Sequence, residues 1–75
     1  MVDERQDRRV EFGDWVQRYQ GRIYTQALGL LGDPVEAEEC AQEAFVRAYL
    51  HLEDLRDPAA FMGWVASILS RVAAD

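Results

Sequence analysis

The stretch "GDPVEAEECAQEAFVRAY", Gly32 to Tyr49, decides how the rest of the chain is read. It opens with a turn and then sets five acidic side chains, Asp33, Glu36, Glu38, Glu39 and Glu43, within eleven residues. Gly32 can take the left-handed conformation that ends a helix. Asp33 is a good N-cap, Pro34 suits the first helical position, and Glu36 stands where a capping box wants it. Advancing about 100° per residue separates two sides of the helix that follows. Ala37, Ala41, Ala44, Phe45, Ala48 and Leu52 share one side, flanked by Cys40 and Tyr49. Small alanines there let another helix approach closely, while Phe45 and Leu52 fill the gaps.

The opposite side holds Glu36, Glu39, Gln42, Glu43, Val46, Arg47 and Leu50. Acids in the first turn complement the helix dipole, each worth ~0.3–1 kcal/mol when exposed. Glu43, in the third turn, is too far along for that account. Val46 and Leu50 lie one turn apart on this polar side, where apolar residues would not usually align. A solvated charged face with two incidental aliphatics is the simplest description. Taken together, however, Glu39, Gln42, Glu43, Val46 and Leu50 form an apolar centre with an acidic, hydrogen-bonding rim, the pattern of a small interface. Its partner should present Arg or Lys.

Working outward, a first helix is expected from about Val10 to Leu31. Phe12, Trp15, Val16, Tyr19, Ile23, Ala27, Leu30 and Leu31 make one apolar stripe at helical spacing. Residues 1–9 are expected to form a flexible N-terminus, frayed before Asp7. "RDP", Arg56 to Pro58, repeats the helix-start signal with Asp57 as N-cap of a third helix. There Phe61, Val65, Ile68, Leu69 and Val72 form the inward stripe, with Trp64 on its flank as a further packing residue. "HLEDLRDPAA" is the substantial loop between the second and third helices. No strand pattern or repeat is visible, so the fold class is all-α: a bundle of three helices. "WVASILSRVAAD" still reads as helix at its last residue, so the chain is expected to be a piece of something longer.

Seventy-five residues make one domain with a marginal core, since so short a chain buries only ~60% of its unfolded surface. With 49% hydrophobic and 29% charged residues it is a globule rather than a disordered tail. No apolar run is long enough to span a bilayer and no signal peptide opens the chain, so a cytoplasmic location without membrane contact is expected. The net charge of −6 argues against tight unaided binding to nucleic acid and favours a basic protein surface. One cysteine and one histidine cannot build a zinc site. Carboxylates at 36, 39 and 43 lack the Glu-x-x-His pair of a di-iron bundle. No metal, cofactor, catalytic residue or enzymatic activity is therefore expected. Cys40 reads as a small packing residue, since acidic neighbours disfavour a thiolate.

"LGDPVEAEECAQEAFVRAYLHLEDLRDPAAFMGWVASIL" resembles region two of bacterial RNA polymerase sigma factors of the extracytoplasmic-function (ECF) group. The resemblance rests on Leu30, Leu31, Gly32, Asp33, Ala37, Glu38, Glu39, Gln42, Glu43, Ala44, Phe45 and Ala48, then on Phe61, Trp64, Val65 and Ile68. It covers roughly residues 10 to 75, with Tyr19, Ile23 and Tyr24 of the first helix also similar. It implies a three-helix sigma region-two domain from a two-domain sigma factor. It implies docking of the second helix on the arginine-rich coiled coil of the polymerase β′ clamp, through Glu39, Gln42, Glu43, Val46 and Leu50. It also implies capture of a single strand of the promoter minus-ten element by the loop near Leu55 to Ala60 and by the third helix. The corresponding residues are Arg56, Asp57, Ala60, Ser67 and Arg71. An anti-sigma factor is a further partner class that such surfaces could bind.

The chain departs from the family pattern where DNA would be met. Glu39 stands where Asp is common, and Cys40 where a larger aliphatic is common; both are mild changes. The third helix, often basic and aromatic in the family, presents Gly63, Ser67, Ser70 and Ala74 outward, with Arg71 at the edge. From Pro34 onward three arginines face eight acids, a balance of −5. His51 and Arg56 could touch phosphate or base, or be simply solvated. The alternative is a sigma-like interaction domain that binds polymerase or a regulator without recognising a promoter.

Overall fold

In the computed structural model the described residues are 4–75, with side chains from Arg8 onward. Three helices account for most of them: α1, Glu4–Leu31; α2, Pro34–Leu50; and α3, Phe61–Ala74. Single-turn 3-10 helices, Leu52–Asp54 and Pro58–Ala60, occupy the connection between α2 and α3. The all-α bundle expected from the periodicity is what forms.

Helix α1 starts six residues earlier than its apolar stripe suggested. The stretch "ERQDRR" has no apolar residue in its sequence, yet Glu, Arg and Gln are good helix formers and extend a helix already nucleated by packing. Of the flexible N-terminus expected over residues 1–9, residues 1–3 lie outside the described residues.

Gly32 makes the turn between α1 and α2. It is the positive-φ residue of the described chain, at φ 73°, and its N–H donates to the Leu28 carbonyl at 2.8 Å, closing α1. Asp33 then caps α2, its Oδ1 accepting from Val35 N at 2.8 Å and Glu36 N at 3.2 Å. The return bond from Glu36 that would complete a capping box does not appear among the described residues. A β-carbon at Gly32 meets no neighbour, so the penalty for adding one is purely conformational. Gly32→Ala should cost about 1 kcal/mol and lower the thermal midpoint by roughly 4–8 °C at this domain size. An unchanged melting temperature would mean that the turn does not use this backbone.

The short turn folds α2 back along α1, and the Phe12 ring near the start of α1 meets Tyr49 near the end of α2 at 5.3 Å. Helix α3 returns in the direction of α1, so that Val72 and Ala73 end beside Leu31 and Cys40. The core follows from the patterning. Ala37, Ala41, Ala44 and Ala48 are buried along α2, with Phe12, Ile23 and Ala27 from α1, Leu52 and Leu55 from the connection, and Phe61, Val65 and Leu69 from α3. No charged or polar side chain is buried among the described residues.

One expected core position sits elsewhere. Leu30 is 56% exposed, while Tyr24 and Leu28 pack against the core instead. The cause is a change of partner along α1. Phe12, Trp15 and Tyr19 face Phe61 of α3, whereas Tyr24 faces Ala41 and Phe45 of α2. The buried stripe rotates around α1 between these partners and leaves Leu30 in solvent. Phe45, expected on the α2 core face, is half-buried, and Tyr49, expected on its flank, is exposed. No described helix is long and apolar enough to cross a membrane.

Candidate docking face and strand-binding loop

The outer side of α2 is set by its inner side. The four alanines and Phe45 turn towards α1 and α3, so the residues half a helical turn away must face water. Glu39, Gln42, Glu43, Val46 and Leu50 are all exposed, Val46 by 53% and Leu50 by 65%. Two aliphatic side chains in water, one turn apart and framed by carboxylates, lose nothing to their own fold when a partner covers them. The rim is only loosely engaged. Glu43 Oε1 accepts from Arg47 Nε at 3.1 Å, and Arg47 Nη1 also lies 3.7 Å from Asp75 Oδ2. An exposed pair one turn apart contributes only ~0.2–0.5 kcal/mol, so Glu43 can exchange this arginine for one on a partner at little cost. Gln42 Nε2 lies 3.5 Å from Glu38 Oε1, a marginal bond that leaves the amide available.

The face continues into a groove that the sequence did not disclose. Gln42 and Val46 share with Phe45, Val16, Gln20, Gly21 and Tyr24 an open depression of about 600 Å³ between α1 and α2. The absence of a side chain at Gly21 helps open it. Its α1 wall could not be assigned from sequence, because those residues become neighbours of α2 only through helix packing.

Cys40 is buried beside this face, on its α3 edge. Burial raises its pKa above the usual thiol range; nearby Arg47 lowers it and Glu43 raises it again. The thiol is thus held in its neutral, packing form, with desolvation as the main cause where acidic neighbours alone were expected. Among the described residues no group of three or more His, Cys, Asp or Glu side chains is placed to hold a metal ion.

The second region is the connection from α2 to α3. Leu52, Leu55 and Phe61 are buried and anchor it, while Arg56, Asp57 and Ala60 between the last two are exposed. Asp57 is already employed: its Oδ1 accepts from Ala59 N at 3.0 Å, capping the 3-10 turn that leads into α3. The helix start read at Asp57 is therefore a 3-10 start, with α-geometry from Phe61. Ser67 and Arg71 are exposed on α3, after the loop in sequence. Arg71 borders a cleft of about 330 Å³ with Arg47, His51, Asp54, Trp64 and Ile68. His51 Nδ1 lies 3.8 Å from Asp54 Oδ2 there. The five candidate DNA-facing residues thus divide into a loop group, Arg56, Asp57 and Ala60, and a helix group, Ser67 and Arg71. Trp64 is half-buried, its ring 6.3 Å from that of Phe61, as a packing residue would be.

One residue at the loop was missed. The Arg8 guanidinium donates to the carbonyl oxygens of Leu55 and Arg56, and Arg9 lies 5.9 Å over the Tyr49 ring. Nothing local signals these contacts, since Arg8 is 47 residues from Leu55.

The matches to known proteins extend over the sequence of both regions. The family model described as sigma-70 region 2 matches residues 15–75. The chain is 36% identical over 64 residues to the ECF RNA polymerase sigma factor SigW of Bacillus subtilis, covering 85% of this chain and 34% of that protein. It is 36% identical over 64 residues to the probable RNA polymerase sigma factor RfaY of Xanthomonas campestris, covering 85% of this chain and 16% of that one. It is 34% identical over 83 residues to the RNA polymerase sigma-H factor of Pseudomonas aeruginosa, covering 97% of this chain and 43% of that one. The chain therefore spans less than half the length of each of these relatives. No solved structure gives a significant match.

Proposed function

The chain belongs to the sigma-70 region 2 family, with ECF sigma factors among its relatives, and from that premise we propose that it is a transcription-initiation module. It docks on the β′ clamp coiled coil of RNA polymerase through the outer face of α2. It meets one strand of the promoter minus-ten element through the loop after α2. The observation that carries the reading is the pairing of solvent-exposed Val46 and Leu50 with Glu39, Gln42 and Glu43, directly across α2 from its buried alanines.

Physically the two contacts divide the work. Covering Val46 and Leu50 removes apolar surface from water at about 25 cal/mol per Å². Arginines meeting Glu39 and Glu43 form charge-assisted hydrogen bonds at the rim of that patch, which set orientation and speed association. DNA is then presented to an acidic domain already held on polymerase, so the cations that neutralise phosphate are largely those of the larger assembly. The loop needs only to accept a base that has left its stack, a task for shape and hydrogen-bonding edges rather than net charge.

The α3 face favours a second reading. Gly63, Ser67, Ser70 and Ala74 are exposed there and only Arg71 is cationic, as would suit a module that binds polymerase or a regulator without reading DNA. One selection separates the two. The chain is bound to core polymerase and offered a randomised pool of single-stranded DNA, ~12 nucleotides long, within the span such sites cover. Enrichment of a defined sequence, lost on substitution of the loop, supports promoter reading. Binding to polymerase with no enrichment supports the interaction module, and failure to bind polymerase removes the initiation reading and leaves of the second only a module that binds a regulator.

A further inference from the structure

The loop between the two 3-10 turns has little of its own to hold it. Leu55 is extended, at φ −77° and ψ 111°. Among the described residues, neither the Leu55 nor the Arg56 carbonyl accepts a backbone N–H. Both are taken by a single side chain from the other end of the fold. Arg8 Nη1 donates to Leu55 O, and Arg8 Nη2 donates to Arg56 O at 3.3 Å. A planar guanidinium can bridge two consecutive carbonyls with its two terminal nitrogens, whereas a lysine ammonium offers a single point of attachment.

The position of Arg8 is fixed independently of the loop. One turn further along α1, Phe12 is buried, with its ring 5.3 Å from Tyr49 and 5.6 Å from Phe61. Arg8 is thus carried on a helix whose register is locked by the same Phe61 that ends the loop. Leu55 and Phe61 bury the loop at its two ends, and Arg8 grips the exposed backbone that begins between them.

We propose that Arg8 is a positioning residue for strand binding. By chelating the Leu55 and Arg56 carbonyls it holds residues 55–60 in the shape that a single strand meets, without touching the strand itself. The effect is preorganisation: a loop ordered in advance need not lose its freedom when DNA binds. This role rests on the strand-reading function above and adds to it a residue outside the loop.

The test compares the chain with its Arg8→Ala and Arg8→Lys variants. Amide hydrogen exchange reads the loop itself, at Leu55, Ala59 and Ala60, whose N–H groups are bonded within it. Fluorescence anisotropy on the core-polymerase complex reads affinity for the enriched single strand and for its scrambled form. For Arg8→Ala, loop exchange should accelerate roughly tenfold or more while the amides of Ile23, Ala44 and Leu69 keep their protection. Affinity for the enriched strand should fall about tenfold, with polymerase affinity within about twofold. Arg8→Lys should recover less than half of the loss on a logarithmic scale, because charge without the fork does not chelate. Unchanged loop exchange overturns the proposal, as does faster exchange with undiminished strand affinity. Full recovery by Arg8→Lys overturns it as well, since that would make Arg8 a phosphate-facing charge. If the unsubstituted chain does not distinguish the two strands, strand reading fails and this role with it, while the exchange data still report whether Arg8 holds the loop.

Discussion

Replacing Gln42 with Ala and Glu43 with Arg should weaken binding to an isolated clamp coiled coil by about a hundredfold or more. Removing one partner of a desolvated, hydrogen-bonded charge pair costs about 2–5 kcal/mol, and 2.7 kcal/mol is already about a hundredfold. Reversing the charge adds repulsion against the partner's arginines. The fold should survive, because both side chains are exposed and the lost Glu43–Arg47 pair contributes only a few tenths of a kcal/mol. Circular dichroism should accordingly show unchanged helix content. The wild-type affinity should itself fall with added salt, since the carboxylates are solvent-exposed until the partner covers them and salt screens the approach. Binding that stays within about threefold of wild type after this double change would remove the docking assignment.

The largest effect on stability is expected at Phe61. Its ring is 1% exposed and is surrounded by those of Phe12, Trp15, Tyr19 and Trp64, at centroid distances from 4.8 to 6.3 Å. Truncating a buried phenylalanine to alanine costs about 3–5 kcal/mol. A domain of this length has a total stability of roughly 4–11 kcal/mol. Phe61→Ala should therefore lower the thermal midpoint by at least about 12 °C and leave much of the chain unfolded at physiological temperature. Phe61→Leu, which refills most of the volume, should recover more than half of that loss. Because Phe61 closes the loop and opens α3, the truncated chain should lose strand binding together with stability. A melting point within about 5 °C of wild type would show that this aromatic cluster is not the centre of the core.

Much of this molecule is decided by interactions that reach no further than one helical turn, and those can be read along the chain. Gly32, Asp33 and Pro34 end one helix and begin the next through bonds to residues two to four positions away. The alternation of alanines with Glu39, Gln42, Val46 and Leu50 assigns α2 an inner and an outer face by helical period alone. Since that face lies directly opposite the core, no detail of how α1 or α3 packs was needed to place it in solvent. What required the tertiary structure were the matters settled by which helix meets which. The α1 stripe rotates when its partner changes from Phe61 to α2, so Leu30 leaves the core and Tyr24 packs against it. Arg71 is drawn into a cleft with His51. Arg8 reaches the loop across 47 residues. Capping and periodicity follow from backbone geometry within a few residues. A contact between distant segments exists only once the core has brought their helices together, and no local rule encodes where that will be.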